Sequence, residues 1–233
     1  MSISARLDHV RQAIAASARA AARPAESVSL IVVSKMFGPE AVIAAAGAGQ
    51  RAFGENYLQE ALDKMAAVRS THPDLVLEWH FIGPIQSNKT RPIAEHFAWV
   101  HAVDREKIAQ RLSDQRPEHL PPLQICLQVN VSGEDSKSGV SPDELLPLAR
   151  AVSAMPHLQL RGLMAIPEPT EDLEQQRAPF VLMRQLAQQL REAGIETDTL
   201  SMGMSADMVA AIAEGATMVR IGTAIFGQRD YAK

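Results

Sequence analysis

Lys35 is the residue of this sequence whose type and position point most directly to covalent chemistry. It ends the apolar, β-branched run V-S-L-I-V-V-S-K that begins at Val28, and such a run is typical of a buried strand. A lysine amine at the carboxyl end of a strand can form a Schiff base with an aldehyde once the amine is neutral. A lysine that simply extends from a strand end to reach water fits the position equally well.

Two glycine-containing segments near the other end of the chain favour the first interpretation. Their glycines would let the backbone approach an anion, and their hydroxyl groups would donate hydrogen bonds to it. A helix that we expect to begin near Ser205 would add N–H donors. Helix capping and tight turns explain each segment alone, but beside Lys35 they describe a phosphate anchor next to an amine, which suits pyridoxal 5′-phosphate (PLP). The residues concerned are Ser201, Gly203, Ser205, Arg220, Gly222 and Thr223.

Eight short apolar runs alternate with helical patterns along the chain, and they are the elements that would position these residues. We predict strands at Val28–Ser34, Ala52–Gly54, Trp79–Ile82, Trp99–Ala102, Leu123–Val131, Leu158–Met164, Thr199–Ser201 and Met218–Ile221. The helical patterns between them are Pro39–Ala48, Tyr57–Ala67, Asn88–His96, Arg105–Asp114, Pro142–Ser153, Leu173–Ala193 and Ala206–Glu214.

This alternation predicts an α/β protein with a single (β/α)₈ TIM barrel. A doubly wound open sheet is the rival, and polar or glycine residues at most strand ends favour the barrel. We predict one domain over residues 1–233, with an extra N-terminal helix at 1–21 and the barrel at 28–227. Ser141 precedes Pro142 and should cap the helix that follows.

Composition excludes several classes of function. The chain has 233 residues and a net charge of −4, so we predict no nucleic-acid partner. A lone cysteine, Cys126, argues against a disulfide scaffold, and the histidines show no metal-ligand spacing. The amino terminus has no apolar stretch of a signal peptide, and no run approaches membrane-spanning length. We therefore expect a cytoplasmic protein that neither enters a membrane nor binds a metal.

A set of motifs in chain order resembles the pyridoxal phosphate homeostasis protein family, which is related to the barrel domain of alanine racemase. The motifs span nearly the whole chain. They are V-V-S-K at Val32–Lys35, F-G-E-N-Y-x-Q-E at Phe53–Glu60, E-W-H-F-I-G-P-I-Q-S-N-K at Glu78–Lys89, S-K-S-G at Ser136–Gly139, R-G-L-M-A-I-P at Arg161–Pro167, L-S-M-G-M-S at Leu200–Ser205 and M-V-R-I-G-T-A-I-F-G at Met218–Gly227.

The resemblance implies a role for each site residue. Lys35 would hold PLP as a Schiff base, and Arg220 would lie near the pyridine nitrogen. Asn56 and His80 would lie at the ring, although a histidine in an apolar strand is more often a core residue with satisfied nitrogens. The phosphate would be surrounded by Ser201, Gly203, Ser205, Gly222 and Thr223.

Two functions of different classes follow from these residues. The first is a protein of PLP homeostasis that holds the cofactor on Lys35 without turnover and passes it to PLP-dependent apoenzymes. The second is a PLP-dependent amino-acid racemase or lyase. Arg220 favours the first, because an arginine cannot transfer a full proton to the pyridine nitrogen.

We also expect a monomer, because the second domain of alanine racemase has no counterpart in this sequence. Lys137 is a candidate second amine, although a solvated loop lysine is the simpler interpretation.

Overall fold

A computed structural model describes residues 1–132 and 138–227, which form a closed barrel of eight parallel strands in chain order. The predicted (β/α)₈ fold is confirmed, and the open sheet is wrong. The prediction for the fifth strand extends three residues too far, because the chain leaves the ladder after Gln128 and Val129 forms only an isolated bridge with Val140. The strands are β1 (Ser29–Val33), β2 (Ala52–Glu55), β3 (Glu78–Phe81), β4 (Trp99–Val103), β5 (Leu123–Gln128), β6 (Leu158–Met164), β7 (Thr199–Ser201) and β8 (Met218–Ile221).

The described residues also form nine α-helices, of which eight were predicted: the N-terminal helix and the seven helical stretches between strands. The first covers the barrel from outside, and the ninth is a single turn after the last strand. The helices are α1 (Ile3–Ala20), α2 (Pro39–Gly47), α3 (Leu58–Thr71), α4 (Thr90–His96), α5 (Glu106–Gln115), α6 (Pro142–Ser153), α7 (Leu173–Glu192), α8 (Met208–Ala213) and α9 (Thr223–Phe226), with short 3₁₀ turns at Ala25–Ser27 and Ser87–Lys89.

The N-termini of α8 and α6 differ in detail from their predictions. The helix expected near Ser205 begins at Met208, because the Asp207 carboxylate accepts a hydrogen bond from the Met204 N–H (2.5 Å) and closes a turn before α8. Ser141 does precede α6, but its hydroxyl donates to the Glu144 carboxylate (2.7 Å) instead of accepting from the helix backbone. The backbone donors expected from a helix at Ser205 are therefore displaced from that residue.

The apolar core lies between the strands and the surrounding helices. Alternate residues of each strand point outward into this layer, as Val32, Phe53 and Val100 do, and all three are fully buried. Helix α1 buries Leu7 and Val10 on one face and packs beside α2, α8 and α9. The extra N-terminal helix is thus part of the wall that surrounds the barrel.

The described residues also bear on membrane insertion and metal binding. Within residues 1–132 and 138–227, no helix is long and apolar enough to cross a membrane. Across the same described ranges, no group of three or more histidine, cysteine or acidic side chains could hold a metal ion. Lys137, the candidate second amine, lies outside the described residues.

Candidate functional site

The strand ends of the barrel surround a cleft of about 380 Å³, which is within the size range of small-molecule sites. Six of the nine residues predicted for the site line it: Lys35, Asn56, Ser205, Arg220, Gly222 and Thr223. Five apolar residues complete the lining: Val33, Ile82, Ile166, Met204 and Ala206. The cleft therefore brings an amine, an amide, a guanidinium and two hydroxyl groups together at the face where barrels place their chemistry.

Lys35 is held at the cleft by the unusual backbone of the residue that follows it. Met36 has φ +65°, a left-handed conformation that residues other than glycine seldom adopt. The conformation is stabilised because the Met36 N–H donates to the Glu60 carboxylate (2.6 Å). On the other side of Lys35, the Ser34 hydroxyl donates to the Glu55 carboxylate (2.6 Å). Both neighbours of Lys35 are thus tied to acidic side chains.

A buried lysine joins these two acidic side chains. Lys64, on α3, donates to Glu55 (2.6 Å), to Glu60 (3.0 Å) and to the Ser34 carbonyl oxygen (2.7 Å). Burial raises the pKa of Glu55, and the contact with Lys64 opposes that shift. The cluster explains two features of the F-G-E-N-Y-x-Q-E motif: Glu55 and Glu60 fix the backbone on either side of Lys35.

An aromatic pair connects the Lys35 loop to the other end of the chain. The rings of Phe37 and Phe226 lie 4.7 Å apart between their centroids, tilted by 33°. Phe226 ends α9, the turn that begins with Thr223. The loop that carries Lys35 and the turn that begins with Thr223 are therefore packed against each other.

Asn56 reaches the cleft because the chain packs closely beneath it. A side chain at Gly83 would overlap the Asn56 backbone carbonyl, so the I-G-P motif needs a glycine there. The Asn56 side-chain oxygen Oδ1 is buried and has no hydrogen-bond partner among the described residues. Because buried polar atoms are rarely left unsatisfied, this oxygen is suited to a ligand that donates a hydrogen bond.

Arg220 points from β8 into the barrel and is only 4% exposed. Its Nη1 donates to the Ser201 carbonyl (2.6 Å) and hydroxyl (2.8 Å), and its Nη2 donates to the Ala165 carbonyl (2.9 Å). Burial lowers the pKa of Arg220 to about 10, so it is a cation at neutral pH. An arginine has five N–H donors, which leaves donors for a group in the cleft.

Ser201, Gly203 and His80 are the three predicted site residues that do not line the cleft. The Ser201 hydroxyl is fully buried, and its oxygen accepts a hydrogen bond from Arg220. Gly203 has φ +99°, and a Cβ there would lie 2.7 Å from the Ala211 Cβ. This glycine is therefore required by the turn and by packing against α8.

His80 lies inside the barrel, and both of its ring nitrogens are engaged. Its Nδ1 is 2.9 Å from Nε2 of His101, and its Nε2 is 2.9 Å from a carboxylate oxygen of Glu78. The interpretation as a satisfied core histidine therefore fits the geometry better than a ring contact in the cleft. His101 is a residue that the sequence analysis missed. Its alternation with Trp99 along β4 is the signal that could have placed it inside the barrel.

Tyr57 does not line the cleft. Its side chain precedes α3 and is 52% exposed. The other tyrosine, Tyr231, lies outside the described residues.

Comparisons with known proteins agree with this geometry. The family model for the N-terminal domain of alanine racemase matches residues 7–230. A pyridoxal phosphate homeostasis protein of Pseudomonas aeruginosa is 60% identical over 229 residues, covering 98% of this chain and 96% of the relative. The chain belongs to the pyridoxal phosphate homeostasis protein family.

Solved structures place members of this family on the same barrel. PipY of Synechococcus elongatus, in a structure described as having PLP bound, is 37% identical with a TM-score of 0.84 and covers 97% of this chain and 100% of its own. Alanine racemase of Corynebacterium glutamicum is 19% identical with a TM-score of 0.68, covering 95% of this chain and 62% of the racemase. The racemase comparison supports the fold alone.

Proposed function

We propose that this chain is a PLP homeostasis protein that binds PLP in the cleft and holds it as a Schiff base on Lys35. The observation that carries the proposal is the convergence of Lys35 with Arg220, Ser205 and Thr223 in one cleft. The family relationship and the PLP complex of PipY support the same assignment.

The residues of the cleft fit the chemical groups of PLP. PLP supplies an aldehyde that condenses with an amine and a ring that can withdraw electrons. Lys35 provides the amine, and Arg220 provides a donor for the ring nitrogen. Ser205, Thr223 and the backbone at Gly222 are the proposed phosphate partners. The unpaired Oδ1 of Asn56 would accept a hydrogen bond from the bound molecule.

Arg220 also supports the absence of turnover. Its guanidinium retains its proton at neutral pH, so it can donate a hydrogen bond to the ring nitrogen but leaves that nitrogen without a full proton. An unprotonated ring withdraws electrons weakly from a bound amino acid. Three hydrogen bonds hold Arg220 in place, so this property is built into the barrel. We therefore propose that the protein stores and delivers PLP to apoenzymes and catalyses no reaction.

Borohydride reduction followed by peptide mapping tests the attachment site. The reduced label is expected on Lys35, and Lys35→Ala should abolish it. Lys107→Ala is the matched control, because Lys107 is an exposed lysine on α5 far along the chain from the cleft, and it should leave the label unchanged. Labelling confined to another lysine, such as Lys89 or Lys137, would contradict the assignment.

A separate assay tests the absence of turnover. The PLP-loaded protein is incubated with each common amino acid, and the products are resolved by chiral chromatography. We expect no racemised or cleaved product at rates approaching the roughly 10 s⁻¹ of a typical enzyme. Racemisation of alanine at such a rate would establish the alternative function, a PLP-dependent racemase.

The remaining expectations form part of the proposal. We propose that residues 1–233 act as one PLP-binding domain, as a cytoplasmic monomer. The solution mass by light scattering tests the oligomeric state, and a mass twice that of the 25.3 kDa chain would contradict it.

A further inference from the structure

A chain of polar side chains crosses the interior of the barrel from Arg220 to the opposite end. It links β8, β7, β4 and β3, and each contact is a hydrogen bond of 2.8 or 2.9 Å. His80, His101 and Ser201 are fully buried, whereas the last member is half-exposed. The members, in order, are Arg220, Ser201, His101, His80 and Glu78.

The two ends of this chain determine the direction of every hydrogen bond within it. Arg220 can only donate, so the Ser201 oxygen accepts from it. Burial lowers the pKa of both histidines, for His101 well below the ordinary value, so both are neutral at pH 7. The Glu78 carboxylate can only accept, and contact with His80 lowers its pKa. His80 must therefore carry its hydrogen on Nε2.

The remaining steps follow from the inventory of donors and acceptors. With its hydrogen on Nε2, His80 offers Nδ1 as an acceptor, and His101 must donate to it from Nε2. Nδ1 of His101 is then an acceptor for the Ser201 hydroxyl. In every hydrogen bond of the chain, the donor thus lies on the Arg220 side and the acceptor on the Glu78 side. The reversed order would turn the Ser201 hydrogen towards the guanidinium, where only donors lie.

We propose that His101 and His80 are positioning residues for Arg220, acting through the Ser201 hydroxyl. His101 accepts the hydroxyl hydrogen and so keeps an oxygen lone pair directed at the guanidinium. Glu78 anchors the tautomers of both histidines from the far end of the barrel. The consequence for ligand binding rests on the proposed function, in which Arg220 donates to the pyridine nitrogen of PLP.

Other charged groups near the chain are compatible with this direction. Arg161, on β6, lies over Trp99 and near Glu78, where its charge favours the Glu78 carboxylate. Asp198 pairs with Arg161, and Asp207 acts on Arg220. Cys126 is also close, but burial raises its pKa to about 12 and keeps it neutral.

Nitrogen-15 NMR of the protein without cofactor tests the direction of these hydrogen bonds independently of PLP. Both histidines are expected as neutral tautomers with hydrogen on Nε2 between pH 6 and pH 8, assigned by comparison with His101→Gln and His80→Gln. A protonated ring at pH 7, or hydrogen on Nδ1 of His101, would overturn the proposal.

Ligand binding tests the connection to Arg220. His101→Leu removes the acceptor and should weaken PLP binding roughly three- to tenfold, the amount expected for one hydrogen bond. The same His101→Leu substitution should weaken the binding of a PLP analogue with C–H in place of the ring nitrogen by less than about twofold. This analogue cannot accept a hydrogen bond from Arg220 in either protein. His101→Gln should restore PLP binding, since an amide carries an acceptor and a donor.

The outcomes separate this proposal from the proposed function. Equal losses for PLP and the analogue, or no loss for either, would overturn the positioning role of His101. A wild-type protein that binds no PLP would instead refute the proposed function and leave the NMR result to decide the direction of the chain.

Discussion

Replacing Lys64 with methionine should destabilise the fold, because it leaves the Glu55 carboxylate buried without its cation. The side chains of Lys64 and Glu55 are 2% and 0% exposed, and Nζ lies 2.6 Å from Oε1. The other carboxylate oxygen of Glu55 is already buried without a partner among the described residues. Breaking such a pair from one side typically costs about 3–5 kcal/mol, a large fraction of the stability of a domain.

The loss of stability in the Lys64→Met protein should depend on pH. Burial raises the pKa of Glu55, and Lys64 opposes that shift, so removing Lys64 raises the pKa further. A carboxyl group whose pKa is higher in the folded state binds more protons there, and the free energy of unfolding then falls as pH rises. The Lys64→Met protein should therefore be less destabilised at pH 5 than at pH 7.

Urea unfolding followed by tryptophan fluorescence measures both effects. Lys107→Met is the control, because it removes an exposed lysine and should change stability by less than about 0.5 kcal/mol. Adding Glu55→Gln to Lys64→Met should recover most of the loss, since no unpaired charge then remains buried. A loss below about 1 kcal/mol that does not depend on pH would refute the assignment of Lys64 as the neutralising partner.

Three further predictions concern other parts of the barrel. Thr223→Val and Ser205→Ala should each weaken PLP binding roughly tenfold and leave binding of unphosphorylated pyridoxal nearly unchanged; equal losses in a fluorescence titration would place the phosphate elsewhere. Phe37→Ala removes the ring pair with Phe226 and should cost about 0.5–1.5 kcal/mol beyond the lost burial, measured by urea unfolding, with an unchanged midpoint as the contrary result. Burial raises the pKa of Cys126 to about 12, so a disulfide reagent should modify it in urea but not in the native protein at pH 8, and rapid native modification would contradict its burial.

The barrel could be predicted because its strands are buried on both sides and are punctuated by polar or glycine residues. The prediction of β6, β7 and β8 matches the structure at both ends. The first residue of α8 could not be predicted from the pattern of apolar residues. Its position depends on the Asp207 side chain, which closes the preceding turn on Met204, and the pattern of apolar residues does not record that contact.

The six cleft residues were predictable because they come at or after strand ends, and parallel strands bring those ends to one face. For the other predicted site residues, the depth of the side chain within the barrel determines whether it reaches the cleft. Ser201 is the last residue of β7, yet its side chain points inward to Arg220, whereas Thr223 follows β8 and reaches the cleft. Two hydroxyl residues at similar sequence positions therefore lie at different depths, and strand ends inferred from sequence alone do not distinguish them.

The polar interior shows what additional information the sequence already contained. Glu78 and His80 are two residues apart on β3, and Trp99 and His101 are two residues apart on β4, so each pair shares one face of its strand. In a closed barrel that face can be the interior, and a histidine there needs partners for both nitrogens. The register pairs His80 with Trp99, which brings His101 within reach of His80 but could not be derived from periodicity. Two histidines that each seem ordinary in an apolar strand therefore connect the Arg220 side of the cleft with the opposite end of the barrel.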